Sequence, residues 1–430
     1  MPDQVTSAGA TVRTAAGPSL LQLRDPVVRA DPYPLYRQLR EERPVSEWPL
    51  GGIVLARYAD CAATLRDPRV SSDDRNSHAY RERVASGELS LSDRMVFEER
   101  RTVLFRDPPD HTRLRRLVTK AFTPRTIEQL RPIIQQHIDL LIDRAASRGR
   151  IELIADFSYS LSTTMICYML GAPIQGHPRF PFWTRHLIRS MEPPFMLTAE
   201  DRKGIRRTFE DLSEYFEELI AQRRRDPGDD LLSRLIAVEN HGDRLTLSEL
   251  NATCRLLLSA GHTTTFNLIA NGMLALLRHP DQLERLRVEP ALADGTVEEV
   301  LRYDPPVHLL QRIALEDLEF DGLGVGRGHS IVLLLASAGR DPGQFTDPDC
   351  FDIGRSDSRH LAFGAGPHFC LGASIARMEA AMALQILAER LVDPTLATDQ
   401  LRYTDNLTIR GLEELPITFR DVKPARDRAA

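Results

Sequence analysis

No two cysteines in the chain are spaced as CxxC. Five of them, Cys61, Cys167, Cys254, Cys350 and Cys370, are scattered over 430 residues. An odd number at such separations argues against a disulfide framework and leaves no zinc-ribbon spacing. Positive charge is not in excess either. The net charge is −6 and the isoelectric point about 6.1, so no overall field draws the chain onto phosphate backbones or anionic lipid. Nucleic acid is therefore not an expected partner. The opening residues, MPDQVTSAGATVRTAAGPSL, contain neither a signal-peptide core nor the roughly 20 apolar residues of a membrane span. A cytoplasmic location without a membrane partner is the expectation. Compositional bias is absent as well: 42% hydrophobic and 27% charged residues place the chain among ordinary globular proteins.

What is present is mostly helical periodicity. Residues 1–22, rich in Ala, Thr, Ser and Gly, are expected to form a flexible arm, and 23–430 a single body whose structure begins near Pro32. PYPLYRQLREERP reads as a short helix, and GGIVLARYADC as strand, turn and helix start. Apolar residues recur at three- and four-residue spacings through Thr126–Ala146, Phe209–Arg225 and Thr246–Arg278. Short strands are expected at Gln311–Leu315, Ser330–Leu335 and around Leu407–Ile409. The longest helix carries a capping box, Thr246 with Glu249, and is stopped by His279–Pro280. Its middle holds Ser259-Ala260-Gly261-His262-Thr263-Thr264-Thr265, a poor helix-forming run for a buried position.

Four short patterns carry chemistry. Phe363-Gly364-Ala365-Gly366-Pro367-His368-Phe369-Cys370-Leu371-Gly372 places one cysteine among glycines just before an amphipathic stretch, Ala373 to Leu391. A sulfur at a helix N-terminus meets the positive end of the dipole and free N–H donors, which favour thiolate. Taken alone, the run reads equally as a glycine-rich turn around a buried cysteine. Glu299 and Arg302 share a helix face at i, i+3, a spacing that exposed ion pairs also use. His111 and Arg115 lie one helical turn apart, able to reach one anion or to sit on a solvated basic face. In the threonine run, the hydroxyl of Thr264 can bond back to the carbonyl of Ala260 and bend its helix.

Together these segments resemble the cytochromes P-450, in the form found in soluble bacterial members. Phe363, Gly366, His368, Cys370 and Gly372 match the thiolate-haem signature FGxGxHxCxG. Glu299 to Arg302 looks like the Glu-x-x-Arg helix, with Arg355 in the place of its meander arginine. His111 to Arg115 is similar to the HTxxR element, and Ala260, Gly261 and Thr264 match the distal Ala-Gly-x-acid-Thr run, although Thr263 stands where the acid usually is. The similarity runs from about Asp31 to Ile417.

The resemblance implies a mainly α, triangular fold with small β-sheets and haem b as cofactor. Cys370 would be the iron ligand, and His111, Arg115, Arg312 and His368 the propionate partners, with Phe363, Gly366 and Gly372 shaping the loop. Glu299, Arg302 and Arg355 would brace the fold. Oxygen would be handled at Ala260, Gly261 and Thr264, with protons arriving through Thr263, His262, water or the substrate. Substrate walls are expected from Ser71–Val96, the Pro193–Met196 region, Leu257, Ala260, the Val307–Leu310 segment (Val307, Leu309 and Leu310) and Leu407; His308 and His262 read first as satisfied histidines and second as polar anchors. The implied reaction inserts one atom of molecular oxygen into a hydrophobic small molecule of secondary metabolism. Electrons would come from a ferredoxin and its NAD(P)H-dependent ferredoxin reductase, docking near Arg113, Arg116, Lys120, Arg359 and Arg377. A peroxygenase, or a haem-thiolate isomerase or dehydratase, is the alternative that Thr263 raises. A haem-binding sensor without catalysis is a second.

Overall fold

The structure is a computed structural model that describes residues 17–87, 102–173, 177–192, 196–238 and 242–425. Residues 88–96 and 193–195 of the expected substrate walls, and residues 1–16 of the expected arm, lie outside the described residues. Packed structure begins earlier than the sequence suggests. Ser19 caps a short 3-10 helix, Leu20–Arg24, in a capping box with Gln22, and Leu20 and Leu23 are buried, so residues 19–22 belong to the body rather than to an arm.

Helices dominate. In chain order the ones used below are α1 (Tyr33–Glu42), α2 (Asp110–Ala121), α3 (Arg131–Ala146), α4 (Tyr159–Leu170), α5 (Phe180–Arg189), α6 (Ala199–Arg225), α7 (Leu247–Arg278), α8 (Ala293–Tyr303) and α9 (Ala373–Arg390). The main core is built by apolar faces of α2, α3, α4, α6, α7, α8 and α9. α7, at 32 residues and ~1.5 Å per residue, is about 48 Å long and crosses this core. Thr246 and Glu249 form the anticipated capping box, and His279 ends the helix.

Two helices differ from their sequence boundaries. The stretch from Thr126 to Ala146 is broken, because Pro132 can enter only the first turn of a helix and so starts α3 afresh. α6 starts at Ala199, ten residues before Phe209, since Thr198 and Asp201 form a capping box there.

The main sheet joins β1 (Val45–Glu47), β2 (Gly52–Leu55), β3 (Val70–Ser71), β4 (Leu309–Ala314) and β5 (Ser330–Leu334). Its spatial order is β1-β2-β5-β4-β3, with β2 and β5 parallel and β5 and β4 antiparallel. A Cβ at Gly52 would lie 1.9 Å from the Ser330 carbonyl oxygen, so only glycine allows that pairing. Around Leu407–Ile409 no named strand forms among the described residues; one bridge, Val307 to Ile409, is all that the pairing yields.

Candidate active site

The loop before α9 bends through Gly364 at φ 71° and Gly366 at φ 66°, left-handed values that suit glycine. A Cβ on Gly366 would also come within 2.5 Å of the Leu65 carbonyl oxygen. The loop is closed by the Cys370 N–H, which donates to the Phe363 carbonyl at 2.9 Å. This leaves Cys370 half-buried three residues before α9, and a Cβ at Gly372 would meet nothing within 4 Å. Burial pushes the Cys370 thiol up, while the Gly372 N–H and the charges of Arg115 and Arg377 pull it down. Burial outweighs the other influences.

His111 and Arg115 on α2, Arg312 on β4 and His368 in the cysteine loop come from distant parts of the chain, yet they converge. The rings of His111 and His368 are 4.2 Å apart, and Nε2 of His111 is buried without a hydrogen-bond partner. Burial, then the charges of Arg312, His111 and Arg115, lower His368 to about 3. Arg312 is buried, donates to the Gln311 carbonyl at 2.8 Å, and is lowered by burial to about 10. None of the four forms an ion pair among the described residues. Arg115 and Arg312 bring the permanent charge, the environment favours the neutral form of both imidazoles, and Asp107, the carboxylate that acts on His111 and Arg312, is not in ion-pair contact with them, so this group of donors suits an anionic ligand.

From Leu258 to Leu276, α7 is buried at every position except Ala260, Gly261 and Thr264. With the half-buried Leu257 these follow the i, i+3, i+4, i+7 pattern of one helix face. Thr264 Oγ1 donates to the Ala260 carbonyl at 2.9 Å, and Thr265 Oγ1 to that of Gly261 at 3.0 Å. A Cβ at Gly261 would lie 2.8 Å from Ile166 Cδ1 of α4, so this glycine lets the two helices approach. Thr263 and His262 point elsewhere. Both are wholly buried, and His262 Nδ1 is bonded to the Leu258 carbonyl at 2.5 Å. Burial lowers His262 to about 4, so its ring is neutral near pH 7. The Thr263 hydroxyl is 3.4 Å from His262 Nε2, a separation too long to satisfy it, and it counts as unpartnered.

The anticipated triad is assembled on α8. Glu299 accepts from Arg302 at 2.7 and 2.8 Å and from Arg355 at 3.1 Å. Arg302 also donates to the carbonyls of Gly339, Pro348 and Cys350, and Arg355 to those of Thr346, Asp347 and Cys350. The segment leading to the cysteine loop is thereby tied to α8. The neighbouring Glu298, which the sequence did not single out, takes Arg377 of α9 at 2.6 and 3.0 Å.

The remaining candidates separate. Val307 and Leu310 are half-buried beside the sheet core, whereas Leu309 and Leu407 are buried together in a second cluster with Leu20, Leu23 and Tyr36. His308 accepts or donates with the Tyr36 hydroxyl at 2.9 Å and lies 3.6 Å from Asp304, a bracing position between α1 and α8. Of the expected docking cations, Arg113 pairs with Asp243 and Glu249, Arg359 with Asp357 and Arg377 with Glu298. Arg116 and Lys120 are exposed.

A thiol at the head of a helix, a long buried helix open along one face, and two arginines and two histidines without an ion-pair partner among the described residues fit an iron macrocycle with two propionates. This constellation defines a haem-thiolate enzyme. The family model for cytochrome P450 matches residues 80–391. The chain is 41% identical to the cytochrome P450 monooxygenase PikC of Streptomyces venezuelae, over 93% of this chain and 94% of that one. It is 37% identical to the vitamin D(3) 25-hydroxylase of Pseudonocardia autotrophica, over 90% and 94%. Among solved structures, ligand-free CYP164A2 of Mycobacterium smegmatis superposes with a TM-score of 0.83 at 42% identity, covering 93% of this chain and 99% of that one. P450BioI, solved with an acyl carrier protein bearing hexadec-9Z-enoic acid, gives 0.84 at 36% identity, covering 92% and 99%. The chain belongs to the cytochrome P450 family. Its cofactor is haem b, and its chemistry is monooxygenation of small molecules with O2 and electrons from redox partners. Among the described residues no helix is long and apolar enough to cross a membrane.

Proposed function

We propose that the chain hydroxylates or epoxidises a hydrophobic or amphipathic small molecule of the size of a polyketide, steroid or fatty acid, above the open face of α7. The observation that carries this reading is that Leu257, Ala260, Gly261 and Thr264 are the open face of an otherwise buried helix segment. Relatives act in the same range: one is named for polyketide biosynthesis and another hydroxylates vitamin D(3). Cys370 would hold the iron, and His111, Arg115, Arg312 and His368 the propionates. When bound, haem with a thiolate ligand supplies O–O cleavage. The protein's own residues orient the reactants: Thr264 lies on the open face with its hydroxyl bonded back to the Ala260 carbonyl, beside the apolar Leu257 and Ala260.

Thr263 gives no carboxylate, and it and His262 face away from the open side. Protons at Thr264 therefore come from water or a substrate hydroxyl. The electron donors are a ferredoxin and an NAD(P)H-dependent ferredoxin reductase, and the enzyme works in the cytoplasm. The test is turnover of spin-shifting ligands with ferredoxin, reductase and NAD(P)H under catalase, using 18O2. Product gaining one labelled oxygen is the expected result. Product formed on hydrogen peroxide alone would establish the peroxygenase reading, which the missing acid at Thr263 favours. No product under either condition would remove both.

A further inference from the structure

Glu298 and Glu299 are adjacent on α8, and their side chains hold different segments. Glu299 takes the segment containing Arg355; Glu298 takes α9. Arg377 donates Nε to Oε1 of Glu298 at 2.6 Å and Nη2 to Oε2 at 3.0 Å, and His360 Nε2 lies 3.3 Å from the same Oε2. The guanidinium held this way lies 4.5 Å from the centroid of the Phe363 ring. Phe363 is the residue whose carbonyl accepts the Cys370 N–H at 2.9 Å. A single residue of the cysteine loop thus accepts the Cys370 backbone N–H with its carbonyl and carries a fixed cation on its ring. The Arg377 side chain is only 35% exposed and that of Glu298 24%, so solvent screens the pair less than it would a surface contact.

Burial opposes ionisation of Glu298, but the neighbouring His360 and the bonds from Arg377 hold the carboxyl down at about 2. The pair is ionic throughout the neutral range.

We propose that Arg377, positioned by Glu298 against Phe363, sets how strongly the Cys370 sulfur donates to the iron. A cation beside the loop stabilises negative charge on the sulfur, withdraws electron density from the metal and favours the reduced state. Glu298 plays two parts, fixing the guanidinium on the ring and offsetting some of its charge. Arg377 is a positioning and tuning residue, not a catalytic one, because it acts through Phe363 and Glu298. The inference rests on Cys370 being the ligand.

The test uses the haem-loaded full chain and reads two signals besides activity: the equilibrium reduction potential of the iron and the absorption of the ferrous–CO complex. Arg377→Gln removes the cation and is expected to shift the potential to more negative values. Glu298→Gln removes the counter-charge and keeps the arginine, and is expected to shift it to more positive values. Arg377→Lys, which keeps the charge but loses the planar face and the double bond to Glu298, should fall between the native chain and Arg377→Gln. Potentials unmoved by both Gln variants, or moved the same way by both, overturn the proposal, since mere loosening of the loop has one direction. Should Arg377→Gln fail to retain haem, Arg377→Lys and Glu298→Gln decide by their opposite signs. The native ferrous–CO spectrum separates the two layers. A band at the histidine-type position sinks the ligand assignment itself, whereas a red-shifted thiolate band with unmoved potentials sinks only the role of Arg377.

Discussion

Glu379 lies inside the molecule on α9, where the Ser162 hydroxyl donates to its Oε1 at 2.5 Å. Burial raises its carboxyl from 4.5 to about 7, with only the Ser162 bond opposing. A folded-state value above the unfolded one means that the fold keeps a proton which the unfolded chain releases. Stability from this group is complete below about pH 4.5 and is lost as pH rises through about 7. Glu379→Gln keeps an acceptor for Ser162 and removes the titration. It should equal the native chain near pH 4 and exceed it at pH 8 by up to roughly 3 kcal/mol, from the 1.36 kcal/mol carried by each unit. Urea unfolding at the two pH values measures this, and a constant difference would show that ionisation is not the cause. Thr264 makes a second test at this scale. Its hydroxyl lies on the open face of α7, so Thr264→Ala should leave the rate of iron reduction unchanged while several-fold more of the reducing equivalents end as hydrogen peroxide. Equal coupling in the variant would take oxygen handling away from Thr264.

The α8 anchor shows what a single element can carry. Arg302 has a wholly buried side chain, and Glu299 is the only carboxylate paired with it among the described residues. Removing one partner of a buried pair leaves the other charge uncompensated, at a cost of about 3–5 kcal/mol. Glu299→Gln should therefore lower the urea midpoint by that free energy with little change in slope, and a loss below about 1 kcal/mol, the worth of an exposed pair, would refute a buried anchor. Features of this kind were legible in the sequence to different degrees. The cap of α7 was readable because Thr246 and Glu249 are three residues apart and satisfy each other. The cap of α6, Thr198 with Asp201, escaped because the charged run after it hides the helical period. β pairing around Leu407 was overestimated, since a strand depends on a distant partner and here only Val307 to Ile409 meets that need. Glu298 went unread for a similar reason: its arginine is 79 residues away. The cysteine loop, by contrast, is contiguous, and its glycines announce the turn that Gly364 and Gly366 make.

At the scale of the whole molecule, folding gathers two arginines and two imidazoles that have no ion-pair partner among the described residues. α2, β4 and the cysteine loop deliver His111, Arg115, Arg312 and His368 to one enclosed region. Their environment lowers all four, with burial the first cause in each case. The described residues supply no anion in ion-pair contact with them, and a dianionic cofactor does. Haem should therefore stabilise the fold through its propionates as well as through its iron and its apolar ring. Ligand linkage makes this measurable, since a hundredfold excess over Kd adds about 2.7 kcal/mol to stability. Haem b should raise the melting temperature of the cofactor-free chain more than haem dimethyl ester, which keeps metal and ring but lacks the propionate charges. Arg312→Leu should narrow that gap, because the replaced cation is one of the groups the propionates answer. The ester should also give the smaller salt dependence of binding. An equal rise with both haems would mean that the cationic cluster is satisfied in some other way, and the propionate roles of His111, Arg115, Arg312 and His368 would fall together.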